Sequence, residues 1–372
     1  MTLCYTFLTM SLFSKTKKGG ILGVDIGANS IKVVEVLNEK GRAKLMTYGY
    51  AELPASNDGG ILLDQPKVAG ELLAEVCKKA GCQGTMAMAA LPLSNIFSTI
   101  LSLPTTQDSK QLKPMIDAEI EKLSPLPLAE MITYSTFLDG KADKKEQNGK
   151  QQQADKEKYV RVLVTGAAKT FVQKYIEIFR VAKLQLQALD TESFALIRSL
   201  IGKDRGAIMV IDLGAKRTNL TIVEKGIPFV TRSINLGGDA ITSRVQSSMN
   251  VSMEEAERMK RDFGSLGSLE SDGVPPLLEP LFQSLLNEVK YAFELYANME
   301  LTELKKVEKI ILTGGSAHLP HLPEFLAESL NINVYRGNPW ARVIYPQDLS
   351  VVLEEIGPRM SVAVGLAMRD ID

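Results

Sequence analysis

DIGANSIKVVEV, Asp25–Val36, and DLGAKRTNLTIV, Asp212–Val223, are two versions of one phrase, set about half the chain apart. Each opens on Asp, a branched apolar residue, Gly and Ala, then passes through a polar turn into a β-branched run. Each follows a continuous apolar stretch, ILGV before Asp25 and AIMVI before Asp212, as in a strand buried on both faces. A matching turn comes next, Glu39-Lys40-Gly41 in the first copy and Glu224-Lys225-Gly226 in the second. The pattern predicts two copies of one α/β unit, each built strand, turn, strand, turn, strand.

A strand ending in Asp-x-Gly before a tight bend has a chemical use. Gly27 and Gly214 are free to take positive φ and to let a ligand approach the backbone, and the amides of such a bend form an anion nest. Asp25 and Asp212 cannot bind phosphate directly, since both are negative. They can do so through Mg²⁺, which takes oxygen ligands and keeps most of its waters. Two nests and two carboxylates facing one cleft suit a nucleotide triphosphate with Mg²⁺. The later strand-and-glycine stretch KIILTGGS adds a loop on which a purine can lie.

The whole chain sets limits. It has 372 residues, enough for two or three domains, with a formal net charge of -1 that gives no field to draw in nucleic acid. Cys4, Cys77, Cys82, His318 and His321 are too few and too scattered for a structural zinc site, and sparse thiols fit a reducing cytosol. MTLCYTFLTMSLF is apolar for about a dozen residues, short of the ~20 a spanning helix needs. Its lysines follow the apolar run instead of preceding it, unlike a signal peptide. Residues 1–19 are therefore expected to be a poorly ordered leader, with a membrane-touching amphipathic segment as the alternative.

Between Ser94 and Leu184 the texture changes. FSTILSLP, ITYSTFL and KYVRVLVTGA read as strands, and QLKPMIDAEIEKL and KTFVQKYIEIFRVAKL as amphipathic helices, together a compact α+β module. Residues 140–157, within KADKKEQNGKQQQADKEK, hold almost nothing apolar and are expected to form a mobile hairpin insertion. VAGELLAEVCKKAG reads as a helix stopped by Gly81, Ser252 with Glu255 as a capping box, and MSVAVGLAMRDI as the closing helix.

On these residues the chain resembles the actin, Hsp70 and sugar-kinase ATPase superfamily. DIGANSIKVVEV and DLGAKRTNLTIV are similar to its two phosphate motifs, and ILTGGSAHLP to its adenosine motif. The inserted module resembles the 1C (SHS2-type) subdomain found in the cell-division FtsA and the type IV pilus assembly PilM families. SLFSKTKKGGILGVDIGANSIKVVEV, LPLSNIFSTILSLP, ALDTESFAL and VAVGLAMRD favour the PilM family, and the chain ends at RDID without the basic amphipathic tail of FtsA. The resemblance implies an α/β, two-lobed actin-like fold of duplicated ribonuclease-H-like domains. Lobe 1 (1A) would be 20–93, completed by 185–205 and 355–372; the 1C module 94–184; and lobe 2 (2A/2B) 206–354.

It also implies a site for ATP. The phosphates would meet Asp25, Gly27, Asn29, Ser30 and Lys32 from the first turn, and Asp212, Gly214, Lys216, Arg217, Thr218 and Asn219 from the second. Asp25 and Asp212 would hold Mg²⁺ through water. NLGGDAIT and AERMKRDFG are similar to Hsp70-type nucleotide contacts, which places Gly238, Glu257, Lys260 and Arg261 beside the nucleotide. Gly314, Gly315, Ser316 and His318 would surround the adenosine. The second turn departs from the superfamily, with Ala215-Lys216-Arg217-Thr218 where Gly and hydroxyl residues are usual, so at most slow hydrolysis is expected. Asp190 or Glu192, where the linking helix begins, would orient the attacking water; the alternative is that both serve only the helix dipole. The implied role is a cytoplasmic scaffold at the inner membrane, held there by the N-terminal tail of a PilN-like protein in a groove between lobe 1 and the module. Other pilus platform proteins, the assembly ATPase and self-association are further partners in that picture. A small-molecule kinase and an FtsA-like membrane tether are the alternatives.

Overall fold

The computed structural model describes residues 6–11, 19–53, 61–104, 109–138, 159–262 and 274–371. The chain divides into a larger unit, Met1–Leu93 with Tyr175–Asp372, and a smaller one, Ser94–Lys174. In chain order the strands begin with β1 (Thr6–Ser11), β2 (Ile21–Ile26), β3 (Ser30–Glu39), β4 (Arg42–Glu52), β5 (Met86–Leu91), β6 (Ile96–Pro104), β7 (Met131–Phe137), β8 (Tyr159–Ala168) and β9 (Gln185–Thr191). They continue with β10 (Ala207–Leu213), β11 (Thr218–Glu224), β12 (Ile227–Ile234), β13 (Lys309–Thr313), β14 (Asn333–Arg336) and β15 (Val343–Ile344).

The larger unit holds two sheets of one design. The first runs β1-β4-β3-β2-β5-β9, with β15 also on β4, and the second β12-β11-β10-β13-β14. In each, three consecutive strands form an antiparallel meander, and a parallel strand joins the first of them on its other side. Leu22, Val24, Ile208 and Val210 are buried, as their unbroken apolar runs require. The repeat extends to backbone detail. Lys40 and Gly41 have φ of 56° and 81°, and Lys225 and Gly226 of 53° and 78°, the left-handed pair of a tight hairpin turn. Register shifts at Glu35/Val36 and at Ile222/Val223, shortly before each turn.

The two sheets share packing partners. The helix Glu192–Leu196, continued by a wider turn to Ile201, lies among Met88 and Ala90 of the first sheet and Ile208, Val210 and Ile311 of the second. The helix Ser350–Ala367 crosses it at backbone contact: a Cβ on Gly365 would sit 1.8 Å from the carbonyl oxygen of Ala195. The C-terminal helix thus starts earlier than MSVAVGLAMRDI and absorbs Pro358, whose carbonyl receives Gly314 N–H at 2.9 Å and the Thr313 hydroxyl at 2.8 Å. The outer face of the second sheet is covered by Phe282, Leu285 and Val289 of the helix Glu279–Asn298.

Within the smaller unit the sheet order is β6-β8-β7, and Ile116 and Ile120 of the helix Ser109–Leu123 cover Leu101, Leu103, Val162 and Val164. The helix Lys169–Val181 begins in this unit and, from Tyr175, belongs to the larger one. The expected hairpin insertion 140–157 lies outside the described residues. Within the span read as a leader, Thr6–Ser11 pairs antiparallel with β4 from Thr47 to Glu52, along the edge that the short β15 leaves open. Two further strands, β9 and β15, lie in KLQLQALDT and RVI; β9 carries a polar–apolar alternation over Lys183–Ala188, and β15 is too short to show any pattern.

Candidate functional site

The two repeated turns close in the same way. Gly27 N–H donates to the Ser30 carbonyl at 2.8 Å, and Gly214 N–H to the Arg217 carbonyl at 2.9 Å. Neither glycine adopts the left-handed φ expected of it. What fixes Gly214 is close approach, since a Cβ there would lie 2.9 Å from the Arg217 carbonyl oxygen. Register then decides what faces each aspartate. Lys32 lies opposite Asp25 and pairs with it at 2.8 Å; Asn219 lies opposite Asp212. Asn219 also donates to Glu192 at 3.0 Å, and Glu192 accepts the Leu93 amide at 3.0 Å.

The paired aspartates and Glu192 therefore share one buried neighbourhood, in which each charge is felt by the others. Burial, then Asp212 and Asp25, push the Glu192 carboxyl up to about 8. Burial, then Asp25, push Asp212 up to about 6, against the pull of Lys32 and Asn219. Burial opposes the charge on Lys32, but Asp25, with Asp212 and Glu52 behind it, holds its ammonium above the ordinary range. Burial, Glu192 and Asp25 also raise the phenol of Tyr175, a residue with no sequence motif to mark it. One lysine stands among three carboxylates in a part-buried site, and their mutual repulsion keeps the proton on Glu192 up to about pH 8, which leaves Asp25 and Asp212 to share Lys32.

Two of the expected residues turn elsewhere. Asp190 is held by Arg198 at 2.5 Å and by its neighbour's amide at 2.7 Å, so of the two candidate acids Glu192 alone enters the cluster. Thr218 is buried and gives its hydroxyl to the Leu236 carbonyl at 2.6 Å. Arg217 is exposed and contributes its carbonyl to the turn, while the charge of Lys216 acts on Asp239.

Asp239 stands in the first turn of the helix Gly238–Met249, whose leading amides are docked on the second turn: Gly238 N–H on Gly214 at 2.9 Å and Asp239 N–H on Ala215 at 2.8 Å. Burial raises its carboxyl, against the pull of Lys260, Lys216 and Asn29 of the first turn. Asp239 follows directly on the Gly-Gly pair, and an acid in the first turn of a helix was the signal for it. Glu257 accepts Thr242 and Lys260, both at 2.6 Å, and Arg261 at 3.0 Å. Ser252 caps the helix Met253–Arg261, which carries Glu257, by accepting the Glu255 amide at 3.1 Å.

The glycine loop after β13 completes the site. Gly314 has φ of +90°, and a Cβ on it would lie 2.5 Å from Asp212 Oδ1; a Cβ on Gly315 would meet nothing within 4 Å. Ser316 N–H donates to the Leu213 carbonyl at 3.1 Å, and a Cβ on Gly238 would come within 2.7 Å of the Ser316 hydroxyl. His318 is exposed, and partial desolvation, then the nearby Arg336, lowers its basicity.

The family described as type IV pilus assembly protein PilM matches residues 23–371. The chain belongs to the PilM family. It is also similar to the cell-division protein FtsA of Streptococcus pneumoniae, 23% identical over 351 residues that make up 86% of this chain and 75% of that one. Among solved structures, a PilM–PilN type IV pilus biogenesis complex superposes with a TM-score of 0.78 at 24% identity, over 95% of this chain and 99% of its own. MreB5 of Spiroplasma citri, solved bound to ADP, superposes with a TM-score of 0.51 at 13% identity, over 94% and 95%. The fold is the two-lobed actin-like one, in its FtsA-like branch.

Proposed function

We propose that this member of the PilM family is an ATP-binding scaffold of the type IV pilus inner-membrane assembly platform. The observation that carries the nucleotide reading is the meeting of Asp25, Asp212 and Glu192, from two repeats and the helix between them, over a single lysine. A divalent cation supplies the charge such a cluster lacks. Among the described residues no three acidic, His or Cys side chains are placed to cage a metal directly. That suits Mg²⁺, which keeps several waters and is shared with substrate phosphates. Asp25 and Asp212 would hold the ion, the two turns would present their amides to the phosphates, and Gly315 leaves open the space above its backbone that a flat base needs. Bound Mg²⁺ would neutralise the phosphates. Glu192 is the residue of this chain positioned to orient a water, and its hold on Asn219 and the Leu93 amide fixes where its carboxyl points.

In this reading the scaffold takes the cytoplasmic N-terminal tail of a PilN-like membrane protein, and nucleotide tunes that affinity by shifting the balance of lobe closure. No helix among the described residues is long and apolar enough to cross a membrane, so a cytoplasmic protein held at the inner membrane through such partners fits. The test is calorimetric. Asp212→Ala should lose at least tenfold in Mg-ATP affinity while keeping its circular dichroism spectrum, and a fluorescent PilN-tail peptide should bind the wild-type chain with an affinity that changes on adding Mg-ATP. Equal Mg-ATP affinity in the variant, or none in the wild type, would refute the site.

A further inference from the structure

Beside the same cleft, Glu52 at the end of β4 receives one arginine from its own lobe and one from the other. Arg261 donates to its Oε2 at 2.9 Å, and Arg359 of the C-terminal helix to its Oε1 at 3.0 Å. Arg359 is itself fixed over the Tyr50 ring, 5.2 Å from the centroid. The other side of Arg261 is held by Glu257 at 3.0 Å, and Glu257 is tied to Lys260 and Thr242. The groups expected beside the nucleotide, Arg261, Glu257 and Lys260, are thus already satisfied, and Glu52 is the one partner that comes from the opposite lobe.

We propose that Glu52 competes with nucleotide for Arg261: it latches the mouth of the cleft, and an entering nucleoside must take Arg261 from it. This rests on the nucleotide reading above. The geometry separates a latch from a plain structural ion pair. If the pair only stabilises the fold, Glu52→Gln and Arg261→Gln act in the same direction and leave nucleotide affinity alone. If Glu52 is a competitor, they act in opposite directions, because one removes the rival and the other removes the ligand's own contact.

The probe is N-methylanthraniloyl-ATP with Mg²⁺, followed by fluorescence anisotropy on the full chain at 50 mM and 500 mM salt. Glu52→Gln should bind about 2–5-fold tighter than wild type at low salt, the worth of one partly exposed ion pair, and the gap should close at high salt. Arg261→Gln should bind several-fold weaker. Unchanged or weaker binding by Glu52→Gln overturns the latch. If the wild-type chain binds no probe, the nucleotide reading fails by itself. The latch is then decided by small-angle scattering of the chain without nucleotide, where Glu52→Gln should enlarge the radius of gyration and an unchanged radius refutes it.

Discussion

Replacing Glu192 by Gln should make the nucleotide-free protein more stable at alkaline pH, although the residue lies at the centre of its site. The folded chain holds the Glu192 proton up to about pH 8, whereas an ordinary Glu releases it near 4.5. Between those values the native state binds a proton that the unfolded state has lost. The sign follows: stability falls as pH rises from about 4.5, and the loss is complete once pH passes about 8. At ~1.4 kcal/mol per pH unit, the full span amounts to about 5 kcal/mol. Gln keeps the shape and an oxygen to accept the Asn219 and Leu93 N–H groups, but it never ionises, so it escapes that loss.

The wild type and Glu192→Gln should therefore match to within about 1 kcal/mol at pH 5 and diverge by roughly 2–5 kcal/mol at pH 8.5. For a chain of 372 residues, that gap is about 3–6 °C in melting temperature. Differential scanning calorimetry at half-unit pH steps, without nucleotide, measures it directly. Parallel pH profiles, or a variant less stable than wild type at pH 8.5, would show that Glu192 does not sit in the field of Asp25 and Asp212, and the argument for surplus charge would go with it.

Three further outcomes separate fold from site. Gly315→Val should fold within about 1 kcal/mol of wild type, since its Cβ enters open space, yet lose more than tenfold in Mg-ATP affinity. Gly314→Ala should instead lose several kcal/mol, because φ is +90° and Asp212 Oδ1 stands 2.5 Å from the new atom; a Gly315→Val chain that binds ATP normally would remove the base from this loop. Glu35→Gln should cost about 2–4 kcal/mol in urea denaturation and leave nucleotide affinity unchanged. That buried carboxylate accepts Gly20, Gly84 and Gln83 amides at 2.7, 2.8 and 2.9 Å, and a carboxamide turns an N–H toward one of them; an unaltered midpoint would refute the cradle.

Much of this was legible in the residues because the fold repeats itself. The buried strands, the Lys-Gly turns and the Asp-x-Gly bends carry local patterns, and each was written twice, so coincidence weighed little. What stayed hidden was decided by distance in sequence. Glu52 and Arg359 have no motif, and only the folded chain brings them to one point with Arg261. β15, of two residues, is recruited by β4 and not by any periodicity of its own. Asp190 and Glu192 differ by two positions and look equivalent on the page, but a strand end points one at Arg198 and the helix start turns the other into the cleft.

The duplication explains the scaffold of the site, but its chemistry comes from where the copies differ. Had both repeats placed a lysine opposite the aspartate, each carboxylate would be neutralised within its own lobe and Glu192 would face no surplus charge. The second copy has Asn219 instead, whose amide can relieve Asp212 only in part and whose other commitment is to Glu192. One substitution within the repeat thus does two things at once: it leaves negative charge for a cation to balance, and it orients the single acid that lies between the lobes. A symmetrical dimer of such units could bind polyphosphate equally from either side. With the halves in one chain and different at this position, one turn carries its own counter-ion, and in the proposed reading the other receives its cation with the nucleotide.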